Sequence, residues 1–525
     1  MPTKPSTPAA RRASPLSFRG VTAVLARRRV HLTWSALFAV VTVTCLVVLT
    51  VTGILLGTAY RPSAELVTYD GPYEPLAGAR VSAAFDSVMT ISWETAGGML
   101  VRQTHHWAAL VLPASLMLQL LSTFFTGAFR RPRRAAWLML VGVLVLVLVA
   151  GWSGYALPDD MLSGTGLRIV EGVMLAIPVV GSRLALWLFG GGFPGVVVEN
   201  LYAVHLLAPV SVAVLLVARA VELWRAGPTV PARAAASGAL GLRLWPDAAL
   251  RALGLSTMTT AVLVLLGTFA TVTPLWAYGP ADPGDVGAGS QPDWYMGFLD
   301  GALRLVPAGW EAEWFGATWT FAVLVPLLVV GAWFVVLAVY PYLESWVTDD
   351  AVDHHVLERP RHVPVRTGVG VVGVLVYGVL WGAASADVVA TAFHVSFESV
   401  ITALQVTLVL GPPVAFEVAR RVAVGLQRRD REITAHGRET GRVLRTARGG
   451  YVEVHAPASP ADTVLLAPVP VDAPPARPVS AGRPTVVPRL RGYLARRFAD
   501  GHVRPRPGTG QDAREPRLVR GGAPR

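Results

Sequence analysis

Two histidine positions lie inside long apolar segments, where an ionisable side chain is costly and is therefore a candidate for function. His105, followed by His106, occurs near the start of one segment, and His205 occurs at a similar depth in another. Two imidazoles at matching depth on neighbouring helices can ligate one haem iron from its two axial sides. The simpler alternative is that each histidine satisfies only a local hydrogen bond.

Helix geometry leads us to look for a second histidine pair on the same two helices. Positions fourteen apart on a helix lie about 40° from the same face and roughly 21 Å along the axis, so paired histidines would hold two stacked haems. The position fourteen after His105 is Gln119, and the one after His205 is Arg219, or Ala220 at a spacing of fifteen. The sequence therefore supports one bis-histidine haem at the level of His105 and His205, which the loop charges below assign to the outer side of the membrane. It gives no conventional ligands for a second haem at the inner side.

Long helices are needed to position these histidines, and the composition indicates them. Of the 525 residues, 53% are hydrophobic and 15% are charged, whereas soluble proteins carry nearer a quarter charged residues. The apolar residues cluster in runs of about 20, the length that crosses a bilayer. We therefore predict an all-α polytopic membrane protein with about eight transmembrane helices. The predicted spans cover about 34–59, 104–127, 136–157, 199–221, 254–276, 316–340, 367–386 and 397–419.

Arginines alternate between the loops as the positive-inside rule requires. They gather before the first span, in the second, fourth and sixth loops, and after the last span. Both termini are therefore expected in the cytoplasm, with the long loops 60–103, 158–198 and 277–315 outside. Amphipathic stretches at about 160–176 and 296–306 are expected to lie along the outer membrane face. This placement accounts for the net charge of +12 without nucleic-acid binding.

Four regions follow from this pattern. Residues 1–33 are predicted as a cytoplasmic arm, because the apolar run that follows is too long for a signal peptide. Residues 34–225 form a four-helix haem-binding region, and 226–422 contain the remaining helices. Residues 423–525 are basic and proline-rich, which predicts a largely disordered cytoplasmic tail. The single cysteine, Cys45, excludes a disulfide framework and a covalently attached haem.

Several separate sequence blocks resemble one known family. The blocks are RQTHHWAA at 102–109, FFTGAFRRPR at 124–133, SGYALPDDMLSGTGLRI at 153–169, GSQPDWYMG at 289–297 and HGRETG at 436–441. From about His31 to about Ala458, the chain that contains them resembles the actinobacterial type of cytochrome b subunit of the quinol–cytochrome c reductase complex. Agreement over so many separate blocks is not expected by chance.

The resemblance assigns the quinol-oxidation site to a box in the outer loop after the fifth span. Here the box reads Pro292, Asp293, Trp294, Tyr295. Quinol oxidation releases protons, so a carboxylate is needed within hydrogen-bond reach of the hydroxyl, and the resemblance gives that role to Asp293. Tyr155 resembles a residue that lines the same pocket. The alternative is a simple turn, since Pro followed by Asp is common in turns.

Three further residues resemble family positions around the haem. Arg102 lies three residues before His105, on the same helix face, and resembles the residue that pairs with a haem propionate. It could equally be an anchor at the membrane surface. Gly53 and Gly154 resemble glycines that allow the porphyrin to approach the helix backbone, and helix–helix packing is their alternative role.

As a whole, the resemblance implies a subunit of the bacterial cell membrane that carries b haem and oxidises a quinol, with menaquinone expected. Family members pass one electron to a Rieske iron–sulfur protein and the other through outer and inner haems to a second quinone site. The implied partners are that Rieske protein, a c-type cytochrome subunit and membrane lipid, with a terminal oxidase as a further candidate. A homodimer is also implied.

The absent inner histidines leave three interpretations open. The subunit oxidises quinol with one b haem and an altered electron exit, or it binds a second haem with unusual ligation. In the third, it is a degenerate paralogue with a structural or regulatory role and no complete transmembrane electron transfer. The retained His105, His205, Asp293 and Tyr295 argue against the third. A transporter of unrelated fold would account for the spans and for none of the blocks.

Overall fold

The computed structural model describes residues 18–282, 284, 291–466 and 490–496. The predicted N-terminal arm up to residue 17 and about half of the predicted tail, 467–489 and 497–525, lie outside these residues. Within them the α-helices, in chain order, are α1 (Phe18–Arg27), α2 (Trp34–Gly57), α3 (Ala83–Trp93), α4 (Gly98–Phe125), α5 (Arg134–Ala156), α6 (Met161–Leu175), α7 (Gly181–Phe189), α8 (Val197–Ala226), α9 (Ala232–Ser237), α10 (Ala249–Phe269), α11 (Leu275–Tyr278), α12 (Gly297–Arg304), α13 (Phe321–Thr348), α14 (Pro364–Ala384), α15 (Ala386–Phe393), α16 (Phe397–His436) and α17 (Pro460–Leu466).

The eight predicted spans are confirmed as helices that are long and apolar enough to cross a membrane. They are α2, α4, α5, α8, α10 with the turn before it, α13, α14 and α16. Local capping fixes where several helices begin: the Thr33 hydroxyl accepts from the Ala36 amide at the start of α2, and Ser396 caps α16 in the same way. The amphipathic stretches expected at 160–176 and 296–306 form α6 and α12.

The last spanning helix is longer than the sequence analysis predicted. We expected the span to end near residue 419, but α16 continues to His436. Glu417 forms ion pairs with Arg420 and Arg421, three and four residues later, and this spacing stabilises a helix that continues into polar surroundings. A hairpin and α17 follow, so residues 423–466 carry regular structure where the tail was expected to begin.

Short antiparallel strand pairs lie in the segments that flank the helices. They are β1 (Arg29–Val30) with β4 (Leu242–Arg243), β2 (Leu66–Thr68) with β3 (Arg80–Ser82), β5 (Glu311–Trp314) with β6 (Ala317–Thr320), and β7 (Arg438–Arg445) with β8 (Tyr451–Ala456). The first pair ties the approach to α2 to the approach to α10, which are far apart in the sequence.

Helix pairs form the body of the bundle. α2 packs along α4, α5 packs along α8, and α14 packs along α16. The core contains Trp137, whose Nε1 donates a hydrogen bond of 2.8 Å to the Leu337 carbonyl and so joins α5 to α13. We call the end of the bundle that carries residues 126–133 and 349–363 the arginine end. The opposite end, with residues 157–160, 270–282 and 291–296, is the loop end.

A buried ionic network holds the arginine end together. Arg366, which is 3% exposed, pairs with both Glu344 and Glu358. Arg130 pairs with Glu358 as well, and with Asp350. The network therefore connects the loop after α4 to α13, α14 and the segment between them. Such a buried charge cluster is stable only when every member keeps its partners.

Candidate functional site

The rings of His105 and His205 face each other across the bundle near the loop end. Their centroids are 6.3 Å apart, and the ring planes cross at 61°. A metal–imidazole bond is about 2 Å long and the ligating nitrogen lies about 1 Å from the ring centre, so one ion held by both rings requires centroids about 6 Å apart. The observed separation fits that requirement.

Hydrogen bonds fix which nitrogen of each ring is available. His205 Nδ1 lies 2.9 Å from the Ala150 carbonyl, which can only accept, so this nitrogen carries the proton. The Thr52 hydroxyl donates to the Val48 carbonyl and therefore accepts from His105 Nδ1 at 2.9 Å. In both rings Nε2 is left as the lone-pair nitrogen, which is the arrangement of metal-ligating histidines oriented by a neighbouring acceptor.

Two glycines lie directly against these rings. A Cβ added at Gly53 would be 3.2 Å from His105 Cε1, and one added at Gly154 would be 2.6 Å from His205 Cε1. The second distance is far below van der Waals contact, so only glycine fits beside His205. Within the described residues no three His, Cys, Asp or Glu side chains converge on one point.

Arg102 lies one helical turn before His105 on α4 and is buried. Its Nε atom has no hydrogen-bond partner among the described residues, and the nearest polar contact of its Nη2 is the Met99 sulfur at 3.8 Å. No carboxylate of the described chain pairs with it. A buried, unpaired guanidinium beside the histidine pair is suited to an anionic group of a bound cofactor.

Asp293 lies at the loop end, close to the histidine pair. Its Oδ1 is 3.3 Å from His106 Nε2, and its Oδ2 accepts a 2.9 Å hydrogen bond from the Tyr295 hydroxyl. The carboxylate side chain is 10% exposed. Burial, and then the charge of Asp293, raises the pKa of Tyr295 well above its usual value, so this hydroxyl stays a donor. The carboxylate is therefore held from two sides.

The remaining residues of the box and Tyr155 surround this carboxylate. Trp294 Nε1 donates to the Leu110 carbonyl of α4 at 3.3 Å, and the Tyr155 hydroxyl donates to the Gln291 carbonyl at 3.3 Å. Pro292 lies half-buried between them. The residues of the box and Tyr155 thus come together between the start of α4, the end of α5 and the segment 291–296.

His106 is the site residue whose contact with Asp293 the sequence did not indicate. Successive residues on a helix point about 100° apart, so when His105 faces the bundle interior His106 has to face another element. That element is the segment with Asp293, as the 3.3 Å contact shows. The 100° offset between His105 and His106 could have predicted that His106 faces a different element. It does not identify the segment that lies against His106.

Gln119 and Arg219 lie toward the arginine end, far from this site. Gln119 is 1% exposed, and its Oε1 has no hydrogen-bond partner among the described residues. Arg219 Nε donates to the Ala136 carbonyl at 3.2 Å. The structure therefore brings both to the interior, and each contributes polar atoms there.

Comparisons with known proteins agree on one family. Residues 110–280 match the family described as Cytochrome b(N-terminal)/b6/petB. The cytochrome bc1 complex cytochrome b subunit of Streptomyces coelicolor is 41% identical over 434 residues, which cover 81% of this chain and 79% of that protein. The subunits of the same name from Mycobacterium tuberculosis and Corynebacterium efficiens are 40% and 38% identical, each over 82% of this chain and 79% and 80% of their own lengths.

A solved structure gives the same fold. A chain of a hyperthermophilic respiratory Complex III superposes with a TM-score of 0.56 and 17% identity, covering 77% of this chain and 97% of that chain. At this identity the likeness concerns the arrangement of the helices alone. It agrees with a bundle of spanning helices whose first pairs are α2 with α4 and α5 with α8.

Proposed function

This chain belongs to the cytochrome b subunit family of bc1 complexes, and on that premise we propose that it oxidises a quinol at the loop end, beside one b haem. The observation that carries the proposal is the position of Asp293. Its carboxylate is held by His106, the neighbour of the haem ligand His105, and by Tyr295. A proton acceptor next to an electron acceptor is what quinol oxidation requires.

We propose that His105 and His205 would hold the haem through their Nε2 atoms. Gly53 and Gly154 leave the backbone bare beside the rings, and Arg102 supplies a cation for a propionate. When bound, the haem would supply an acceptor for one of the two quinol electrons, and the other would pass to the Rieske iron–sulfur protein that the family resemblance suggests. The ring separation of 6.3 Å and the two fixed tautomers support this assignment.

The protein's own part in the reaction concerns protons and position. We propose that a quinol hydroxyl donates its proton to Asp293 Oδ1, which contacts His106 Nε2 at 3.3 Å and accepts no hydrogen bond from Tyr295. Tyr295 is a positioning residue, since its hydroxyl holds Oδ2 at 2.9 Å. The wall that would exclude water from the quinol ring is formed by Tyr155, Trp294 and Pro292. A low local dielectric then strengthens the hydrogen bond between substrate and carboxylate.

The clustering of arginines favours a cytoplasmic arginine end and an outer loop end, with both termini in the cytoplasm of a bacterial cell. Quinol oxidation would then release its protons outside. A Rieske iron–sulfur protein, a c-type cytochrome, a second copy of this chain and a terminal oxidase are the partners that the family resemblance suggests. Menaquinol is the expected substrate.

Replacing Asp293 by asparagine tests this proposal. The amide keeps the shape and cannot take the proton, so quinol oxidation by membranes containing the complex should slow by at least about a hundredfold. Haem content should be unchanged. Asp282→Asn, an exposed position in the same outer loop, is the control and should keep full activity. Loss of haem from the Asp293→Asn protein would instead mean that this residue is structural.

Haem content of the purified full chain separates the remaining interpretations. A pyridine haemochrome assay should give one haem per chain. Two haems per chain would support a second haem with unusual ligation, and none would support a structural or regulatory subunit. Gln119 favours a single haem, because it occupies the position where a second haem would need an imidazole. Its side-chain oxygen, Oε1, has no partner among the described residues.

A further inference from the structure

The helices of the haem site contain a second set of equivalent positions. On a helix, the position fourteen residues away lies about 21 Å along the axis and about 40° around it. Counted toward the arginine end, the equivalents of the two glycines and two histidines of the site are Ala39, Leu140, Gln119 and Arg219. All four line one cavity of about 1280 Å³. The chain therefore keeps a ligand-sized space at the second position.

This cavity does not fit a second haem. Gln119 and Arg219 offer no imidazole nitrogen, and arginine is permanently cationic. Leu140 is fully buried and presents a branched side chain where the loop-end site has the bare backbone of Gly154. The Ala39 methyl replaces the hydrogen of the other glycine. The cavity thus lacks both the imidazole ligands and the bare backbone found at the loop-end site.

The charges around the cavity point to an anionic ligand. Among the described residues, five arginines line it, and Glu358 is the only acid that does so. Glu358 is already paired with Arg130 and Arg366, so it does not neutralise the lining. Most of the lining surface is apolar, with Phe38 and Leu223 among its members. A ligand that matches this surface has an anionic head and a hydrocarbon tail.

One partly buried arginine of the lining is available for the head of such a ligand, since Arg233 is exposed and Arg359 is paired with Asp430. Arg133 is occupied by the carbonyls of Gly227 and His354, and Arg28 by that of Trp224. Arg219 uses only Nε, toward Ala136, and its two Nη groups have no hydrogen-bond or carboxylate partner in the described part of the chain. An unpaired guanidinium inside a spanning helix is costly unless an anion meets it.

The depth of Arg219 suits a lipid. It lies seven residues before the end of α8, which is about 10 Å along the helix. We propose that this cavity binds an acidic phospholipid, with the phosphate on Arg219 and Gln119 beside it, in the space equivalent to a second haem site. The inference rests on the haem assignment at His105 and His205 for its comparison of positions. The lipid contact itself does not require that haem.

The direct test measures lipid binding to the purified full chain by native mass spectrometry. Phosphatidylglycerol should remain bound at one molecule per chain, while diacylglycerol, which lacks the phosphate, should not. Arg219→Gln should weaken phosphatidylglycerol binding by at least about tenfold. Arg225→Gln, an exposed arginine of the same helix outside the cavity, should leave the binding unchanged. Unchanged binding in Arg219→Gln would overturn the proposal.

Two further experiments distinguish a lipid site from a free-phosphate site and from a second haem site. Inorganic phosphate that displaces phosphatidylglycerol at equal concentration would indicate a free-anion site and overturn the lipid assignment. The combined variant Ala39→Gly, Gln119→His, Leu140→Gly, Arg219→His should lose the lipid and raise haem from one to two per chain. Two haems in the unmodified chain would also overturn the inference. If that variant does not fold, the Arg219→Gln comparison still decides, and haem loss with retained lipid would refute only the proposed function.

Discussion

Replacing Gly154 by alanine is the sharpest test of the histidine pair. The new Cβ would lie 2.6 Å from His205 Cε1 and 2.9 Å from its Nδ1. Favourable contacts between such atoms begin near about 3.5 Å, so the ring has to move away from α5 by about 1 Å. That movement also stretches the 2.9 Å hydrogen bond from His205 Nδ1 to the Ala150 carbonyl, which fixes the ring orientation.

The size of the effect follows from this overlap. Overpacking of this kind costs about 1–3 kcal/mol, and about 1.4 kcal/mol corresponds to a factor of ten in affinity. Haem retention should therefore fall by between about fivefold and a hundredfold. Gly53→Ala should do less, because its Cβ would lie 3.2 Å from His105 Cε1 and a shift of a few tenths of an ångström relieves the overlap.

The assay is the haem-to-chain ratio by pyridine haemochrome after extensive detergent washing. Gly331→Ala in α13 is the matched control, since a Cβ there meets nothing within 4 Å. We expect the order Gly331→Ala, Gly53→Ala, Gly154→Ala for decreasing haem. If Gly154→Ala kept as much haem as the control, His205 would not be a ligand. If Gly53→Ala lost more haem than Gly154→Ala, the displacement argument would be wrong.

The ionic network at the arginine end gives two further predictions. Arg366→Met leaves the Glu344 carboxylate buried without its cation and Glu358 with Arg130 alone, so thermal unfolding in detergent should show a loss of about 3–5 kcal/mol; an unchanged Tm would contradict the structural role. Burial alone would raise the pKa of Asp350, but hydrogen bonds from His354 and Arg130 outweigh it and hold that pKa below its usual value. Because the unfolded pKa is about 3.9, this stabilisation is present at neutral pH and is lost as the pH falls below about 4. Tm measured at about pH 7 and about pH 3 should therefore fall more for the native chain than for Asp350→Asn, and an equal fall in both would refute the assignment.

Much of the architecture was predictable because it depends on local sequence. Each span requires about 20 apolar residues in succession, and each of the eight predicted segments contains a spanning helix, although α10 ends before the predicted 276 and α13 begins after the predicted 316. The family was also predictable, since its blocks are contiguous, and the relatives confirm it. The end of α16 was placed too early, because ion pairs such as Glu417 with Arg421 extend a helix beyond its apolar part.

The sequence by itself also selected His105, His205 and Asp293, because ionisable residues in spans and an acid in a matched box are conspicuous along the chain. Their roles remain predictions. Tertiary structure alone decided which nitrogen of each ring stays free, that His106 faces Asp293, and that Gln119 and Arg219 line one cavity. The physical reason is range. Hydropathy and capping act over a few residues and can be read along the chain, whereas hydrogen-bond partners and cavities arise between helices whose rotation and neighbours no local pattern specifies.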